Sequence, residues 1–226
     1  MSCPEVAALR RRFAAEVTAG RLTLAGGWGR PCLAYNLIIR PDAAARRSAR
    51  ALQELLLRRE PALLAVPQEA LHVSAAWLIP VHQDRHLPKD EFWELHGPSW
   101  LAAVSELSVR LRAFRLCLHD IVATDVAVVA IAAAPAQVRL IRRGLASLPA
   151  IGEVSSGDMA HMTLFRYAAP LADPPGLLDE LDGLRADLHV QVSELQIVRE
   201  SVFPALEVQI LRRFPLSAQS GPDTGI

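Results

Sequence analysis

The chain has 226 residues, 51% apolar and 21% charged, which gives enough material for one large core or two small ones and argues against a chain that is disordered or coiled coil as a whole. Its 24 basic and 24 acidic side chains cancel, so no broad cationic field for gripping long duplex nucleic acid is expected, while a small anionic ligand fits. Cys3, Cys32 and Cys117 are odd in number and widely spaced, without a Cys-x-x-Cys pair, so neither a zinc site nor a disulfide framework is expected and a reducing cytoplasm fits best.

No apolar stretch of signal-peptide length follows Arg10-Arg11-Arg12. The longest apolar run, Val126 to Ala136, falls far short of the roughly 20 residues that span a bilayer, so no membrane association is expected. Val6, Leu9, Phe13 and Val17 recur at helical intervals between Pro4 and Ala19, with Gly20 suited to the cap. The glycine-rich stretch Ala25 to Pro31 lacks the Gly-Lys-Ser/Thr of a phosphate-binding loop and reads as an ordinary turn. Residues 1–30 thus form a helix and loop preceding the main domain.

From Leu33 to Arg40 an apolar run of strand length leads to Pro41-Asp42, a turn and helix-start signal. Ala45, Ala49, Leu52 and Leu56 then share one helical face up to Pro61. A strand follows at Ala70–Ile79, containing His72-Val73-Ser74. A polar loop is expected over Pro80–Ser99, a helix over Trp100–Leu111 and a strand over Phe114–Val122. The order then repeats: a strand at Val126–Ala133, a helix at Ala136–Leu148, and a strand at Ala160–Tyr167 containing His161-Met162-Thr163. A helix near Leu177–Leu184 and a hairpin of strands at Leu188–Arg199 and Leu206–Phe214 complete a domain over 31–216, and the polar tail 217–226 is expected to be disordered.

A single His-x-hydroxyl tripeptide in a strand is more often a structural histidine than a catalytic one. Here two of them open the second strands of two matched strand–helix–strand units, which chance does not require. Side chains alternate along a strand, so His72 and Ser74 share a face, as do His161 and Thr163. If an approximate two-fold relates the units, the pairs meet across a cleft and offer two groups that titrate near neutrality and two hydroxyl donors. That set suits in-line displacement at phosphorus, one imidazole taking a proton from the attacking oxygen and the other giving one to the leaving oxygen.

His72-Val73-Ser74 and His161-Met162-Thr163-Leu164-Phe165-Arg166 resemble the two signature motifs of the two-histidine (2H) phosphoesterase superfamily, which includes the bacterial RNA 2′,3′-cyclic phosphodiesterases also called 2′-5′ RNA ligases. The second motif matches the family form His-x-Thr-Leu-x-Arg. The resemblance covers Leu33 to Leu216 and implies an α+β, bilobal fold with two antiparallel sheets around a central cleft and outer helices. It also implies phosphodiester chemistry without metal or other cofactor, on a small nucleotide or an RNA 2′,3′-cyclic phosphate end. His72 and His161 would be the acid/base pair, and Ser74 and Thr163 would hold the phosphate oxygens. Ser74 stands where the family more often has threonine, and Ala75-Ala76-Trp77 departs from the family's usual continuation, which leaves the branch and the substrate open.

Strict alternation puts Phe165 and Tyr167 on the face of His161, where an aromatic can stack on a base. The same count turns Arg166 to the opposite face, so a phosphate contact there needs a bulge or an edge position, and the resemblance alone makes it a candidate. Tyr35, on the first strand, is a further candidate for lining the cleft. His82-Gln83-Asp84-Arg85-His86 has the i, i+4 spacing of a metal pair, but Pro80 and Pro88 bracket it, so a solvated loop and no metal site are expected. A monomer is expected. A non-catalytic nucleotide- or RNA-end-binding module of the same fold is the alternative, and an interaction scaffold a third; intact His72 and His161 argue against the former.

Overall fold

Two strand–helix–strand units organise the computed structural model, which describes residues 4–83, 86–148, 150–151 and 158–218. Cys3, Asp84, Arg85 and the tail beyond 218 lie outside the described residues. The first unit comprises β1 (Pro31–Ile39), α2 (Ala43–Arg59), the short β2 (Leu63–Ala65) and β3 (Val73–Ile79); the second comprises β6 (Val128–Ala133), α4 (Ala136–Ala146) and β7 (Met159–Tyr167). Around them lie α1 (Pro4–Thr18), α3 (Lys89–Arg110), β4 (Phe114–Leu118), β5 (Asp120–Ala123), α5 (Pro174–Gly183), β8 (Leu188–Val192), β9 (Glu194–Val202) and β10 (Glu207–Pro215).

Local chemistry sets the boundaries. Asp42 caps α2 by accepting the N–H groups of Ala44 and Ala45 at 2.8 and 2.9 Å, and Pro61 follows its last turn. Proline just ahead of α4, at Pro135, forfeits no intrahelical hydrogen bond. Where a loop was expected over 80–99, α3 starts at Lys89: Pro88 sits at its cap, Asp90 and Glu91 occupy its first turn, and Pro98 lies inside it. Burial of Phe92 and Trp100 offsets the hydrogen bond that Pro98 cannot make. The strands expected over 114–122 and 188–199 each divide in two, at His119 and Ser193, so that β4 and β8 pair in a small sheet of their own.

The fold is α+β, with five helices and two antiparallel sheets among the described residues. The larger sheet runs β10-β9-β1-β3-β7-β6-β5, with β2 paired to β7. Its two halves, β10-β9-β1-β3 and β7-β6-β5, share one rung, Val73 opposite Met162. Beyond that rung β7 takes β2 as its neighbour, with Leu63 opposite Tyr167 and Ala65 opposite Phe165. The motif strands therefore touch where the halves of the molecule join.

One face of this sheet carries the main core, in which Leu37, Ile39, Val73, Met162, Leu164 and Phe165 pack with Leu52 and Leu56 of α2, Trp100 of α3 and Ile141 of α4. On the other face a smaller cluster, Val6, Val122, Val129 and Ile131, seats α1 over β5 and β6. Val129 lies opposite Thr163 and Ile131 opposite His161, so α1 covers the sheet face that continues from the second motif. The glycine-rich stretch is a structural loop: Gly29 adopts φ +72° and donates its N–H to the Phe203 carbonyl at 2.8 Å, tying the loop to the β9–β10 turn.

Candidate active site

Directly opposed residues on neighbouring strands point to one face, so the Val73–Met162 rung places His72 beside Thr163 and Ser74 beside His161. All four side chains leave the same face of one sheet, on either side of the shared rung. The two His-x-hydroxyl pairs stand side by side at the junction of the halves.

Each strand then breaks its alternation at the same place. Ser74 pairs with Ile38 and Ala76 with Leu37, leaving Ala75 as an extra residue; Thr163 pairs with Val129 and Phe165 with Val128, leaving Leu164 extra. Both bulges sit three residues after a histidine, since 75 − 72 and 164 − 161 are equal. Their effect is to return the residue five positions after each histidine to the histidine's own face. In the second unit that residue is Arg166, and in the first it is Trp77, which is 40% exposed.

Two expectations are thereby corrected. Phe165, counted onto the His161 face by alternation, is fully buried in the main core, because the bulge at Leu164 reverses the count. Tyr167 follows it inward and donates its hydroxyl to the Thr124 carbonyl at 2.7 Å. Tyr35 does not share the face of the motif residues: it alternates with Asn36 and Ile38, which lie on the side of Trp77 and Ser74. It is 2% exposed, stacks on Trp93 of α3 at 4.5 Å between centroids and hydrogen-bonds to Asp90. Neither Phe165 nor Tyr35 has surface to offer a ligand. Trp77 was missed, although its place five residues after His72 matches that of Arg166 after His161.

The Arg166 guanidinium donates Nη1 to the Val126 carbonyl at 3.3 Å and lies 5.7 Å over the Phe203 ring. Its Nε is buried with no hydrogen-bond partner. Behind it is Glu200, 5% exposed, which accepts the Ala205 N–H at 2.6 Å and the Asn36 side-chain amide at 3.2 Å. Burial pushes the Glu200 carboxyl up, while these donors and the Arg166 charge favour its ionised form.

Electrostatics make both imidazoles neutral in the free protein. Burial lowers the His72 pKa, with the charges of Arg40 and Arg166 acting in the same direction. His161 is lowered to about 4 by burial first, then by His72, Arg142 and Arg166. The His72 Nδ1 lies 2.8 Å from the Ala70 carbonyl, which can only accept, so neutral His72 carries its proton on Nδ1 and leaves the Nε2 lone pair free.

The other histidines have partners elsewhere: His189 meets Asp187 at 2.8 Å and lies edge-on to His119. His82 meets the edge of Phe203, and His86 and His96 pack on Phe92, with His96 stacked on Trp100. Among the described residues no group of three or more His, Cys, Asp or Glu is placed to share a metal ion.

No family model matches the chain, and no curated protein matches it. Solved structures do. TT0787 of Thermus thermophilus aligns with a TM-score of 0.59 at 21% identity, over 83% of this chain and 100% of that one. E. coli LigT aligns with a TM-score of 0.54 both in its phosphate complex, at 19% identity, and in its 3′-AMP complex, at 20%. Those alignments cover 83% and 82% of this chain and 99% and 98% of LigT. ATU0111 from Agrobacterium tumefaciens str. C58 has a TM-score of 0.57 at 17% identity, over 84% of this chain and 89% of that one. These likenesses, together with the paired motif strands, give the chain the fold of the LigT-like two-histidine phosphoesterases.

Proposed function

We propose that the protein is a metal-independent phosphodiesterase of the two-histidine type, acting on a small nucleotide or an RNA end that carries a 2′,3′-cyclic phosphate. The observation that carries this reading is the meeting of His72, Ser74, His161 and Thr163 on one sheet face, beside an Arg166 whose buried Nε lacks a partner. An unpaired buried guanidinium nitrogen is costly unless an anion arrives to accept its hydrogen bond. LigT has been solved with phosphate and with 3′-AMP, ligands whose phosphate suits two imidazoles, two hydroxyls and a guanidinium.

In the proposed reaction a water oxygen attacks phosphorus, one neutral imidazole takes the water's proton, and the other, as imidazolium, protonates the departing ribose oxygen. Ser74 and Thr163 donate hydroxyl hydrogens to the non-bridging oxygens, and Arg166 balances their charge. Because both histidines are neutral without ligand, the acid's proton must be taken up with the substrate, whose negative charge raises the pKa of each imidazole. Trp77 supplies an exposed ring on the same face for a base to stack on.

Both motifs belong to one chain, and a monomer suffices for this chemistry. Cys32 and Cys117 are free thiols, as a reducing cytoplasm would keep them, and no helix among the described residues is long and apolar enough to cross a membrane. The test is hydrolysis of 2′,3′-cyclic AMP, and of an oligoribonucleotide with that end, in excess EDTA, followed by ³¹P NMR. Conversion to a 2′-phosphate monoester is expected. Loss of activity on chelation, restored by zinc or manganese, would overturn the metal-independent reading; 3′-AMP binding with no turnover would favour the binding module.

A further inference from the structure

A single rung joins β3 to β7, and each strand bulges next to it. Two buried polar side chains on the helix-covered face hydrogen-bond the backbone carbonyls around this junction, including that of Leu164, which also accepts the Val66 N–H at 2.9 Å. Arg142 of α4, 6% exposed, donates Nε to the Ala75 carbonyl at 3.1 Å, Nη1 to Met159 at 2.8 Å and Nη2 to Ser74 at 3.4 Å. Gln53 of α2, 4% exposed, donates its amide to the carbonyls of Leu164 at 2.9 Å and Val66 at 2.8 Å. Gln68 donates to the Gln53 carbonyl oxygen at 2.8 Å and fixes which way that amide faces.

The pattern is reciprocal. Ala75 and Leu164 are the bulged residues next to the rung, and each is held by the helix of the opposite unit: α4 reaches back to the first motif strand, and α2 reaches across to the second. The spacing agrees as well, because 161 − 142 and 72 − 53 both equal 19. Burying a guanidinium costs more than burying an apolar side chain of similar size, and Arg142 offsets that cost with hydrogen bonds to backbone on both sides of the junction.

We propose that Arg142 and Gln53 are a crossed pair of positioning residues. Each fixes the opposite unit's bulge, Arg142 setting the aim of Ser74 and Trp77 and Gln53 setting that of Thr163 and Arg166. Neither touches substrate. The assignment rests on the reading of the paired motifs as a nucleotide-phosphate site, and it divides the work: Gln53 serves the anion side alone, whereas Arg142 serves the base-stacking side together with Ser74.

The experiment compares the unaltered chain with Arg142→Met and Gln53→Met, and with the conservative Arg142→Lys and Gln53→Glu, using calorimetric titration with inorganic phosphate and with 3′-AMP. Circular dichroism melts establish which variants fold. Gln53→Met is expected to weaken phosphate binding about tenfold or more. Arg142→Met is expected to weaken phosphate binding less than Gln53→Met does, through Ser74, and to weaken 3′-AMP about tenfold more than it weakens phosphate, because the base contact is lost as well. Turnover of the cyclic nucleotide falls in both, by up to about 10²-fold, the effect of an ångström of misplacement. Arg142→Lys recovers part of the loss. Folded variants that bind both ligands as the unaltered chain does, or an Arg142→Met variant that loses both in parallel, overturn the proposal, as does failure of all four to fold cooperatively. If the unaltered chain binds neither ligand, the functional reading fails by itself. The pair is then judged from the imidazole NMR titrations of His72 and His161 in Gln53→Met and Arg142→Lys, which leave the nearby charges in number as they are; the titrations move in these variants if the bulges move and otherwise stay in place.

Discussion

His72 and Thr163 occupy opposite positions on neighbouring strands, so each motif's imidazole has the other motif's hydroxyl as its nearest functional neighbour. Along one strand the separation between alternate residues is about 6.6 Å, whereas across the rung it is about 5 Å between Cβ atoms. The working units of the site are therefore crossed pairs, His72 with Thr163 and His161 with Ser74, rather than the tripeptides themselves.

Double-mutant cycles on cyclic-nucleotide turnover read this arrangement directly. His72→Ala and His161→Ala should each lower turnover by about 10² to 10⁴-fold, and Ser74→Ala and Thr163→Ala by about 2 to 4 kcal/mol of transition-state stabilisation. The coupling energy of His161 with Ser74 should exceed that of His161 with Thr163. Equal couplings, or full activity in either histidine variant, would contradict the crossed arrangement.

Arg166 is expected to carry anion affinity. Arg166→Met should weaken inorganic phosphate binding by about 1.5–3 kcal/mol, the worth of a charge-assisted hydrogen bond. Arg166→Lys keeps the charge but loses the planar fork, and should recover only part of it. Unchanged phosphate affinity in Arg166→Met would remove this side chain from the site.

The aromatic residues give a contrast of kind. Trp77→Ala should weaken 3′-AMP by about 1–3 kcal/mol, leave phosphate nearly untouched and barely alter stability, because an exposed ring stacks on a base but holds little of the core. Phe165→Ala should instead cost about 3–5 kcal/mol of stability in denaturant unfolding, as expected for a fully buried ring. A result in which Phe165 governs 3′-AMP affinity and Trp77 governs stability would invert the geometry of both bulges.

The two bulges also mark where the sequence stops being legible. Hydrophobic periodicity and turn residues suffice for both strand–helix–strand units and for the motif strands, because each buries one clear face. A bulge leaves no such trace: Leu164 and Phe165 are both apolar, and so are Ala75 and Ala76, so alternation carries straight through them and sends Phe165 outward and Arg166 inward. Tyr35 was misplaced for another reason. Polar Asn36 faces the groove beside buried Glu200, while Tyr35 turns its hydroxyl to Asp90 on a helix whose internal Pro98 hid it from the periodicity. Arg142 and Gln53 sit on helix faces among apolar neighbours, and only the carbonyls they reach disclose their role.

The pH profile tests the two imidazoles together. Both pKa values lie below the ordinary 6.5 in the free protein, that of His161 at about 4, and the productive form holds one proton shared between two groups. The bell in kcat/KM should therefore peak on the acidic side of 6.5, whereas kcat, which reports the complex, should peak at higher pH because the bound phosphodiester raises both values. Phosphate binding near pH 6 should take up protons, measurable by calorimetry in buffers of different ionisation enthalpy. The same shift fixes the sign of the stability change. Between about 4 and 6.5 the unfolded chain binds a proton at His161 that the folded chain does not, so stability should fall as pH drops through that window and be insensitive to this group above it. His161→Gln should flatten that slope in urea unfolding and abolish one limb of the rate profile. A single sigmoid for kcat/KM in the unaltered protein, or a peak above 6.5 with no proton uptake on phosphate binding, would show that the imidazoles do not act as a buried, coupled pair.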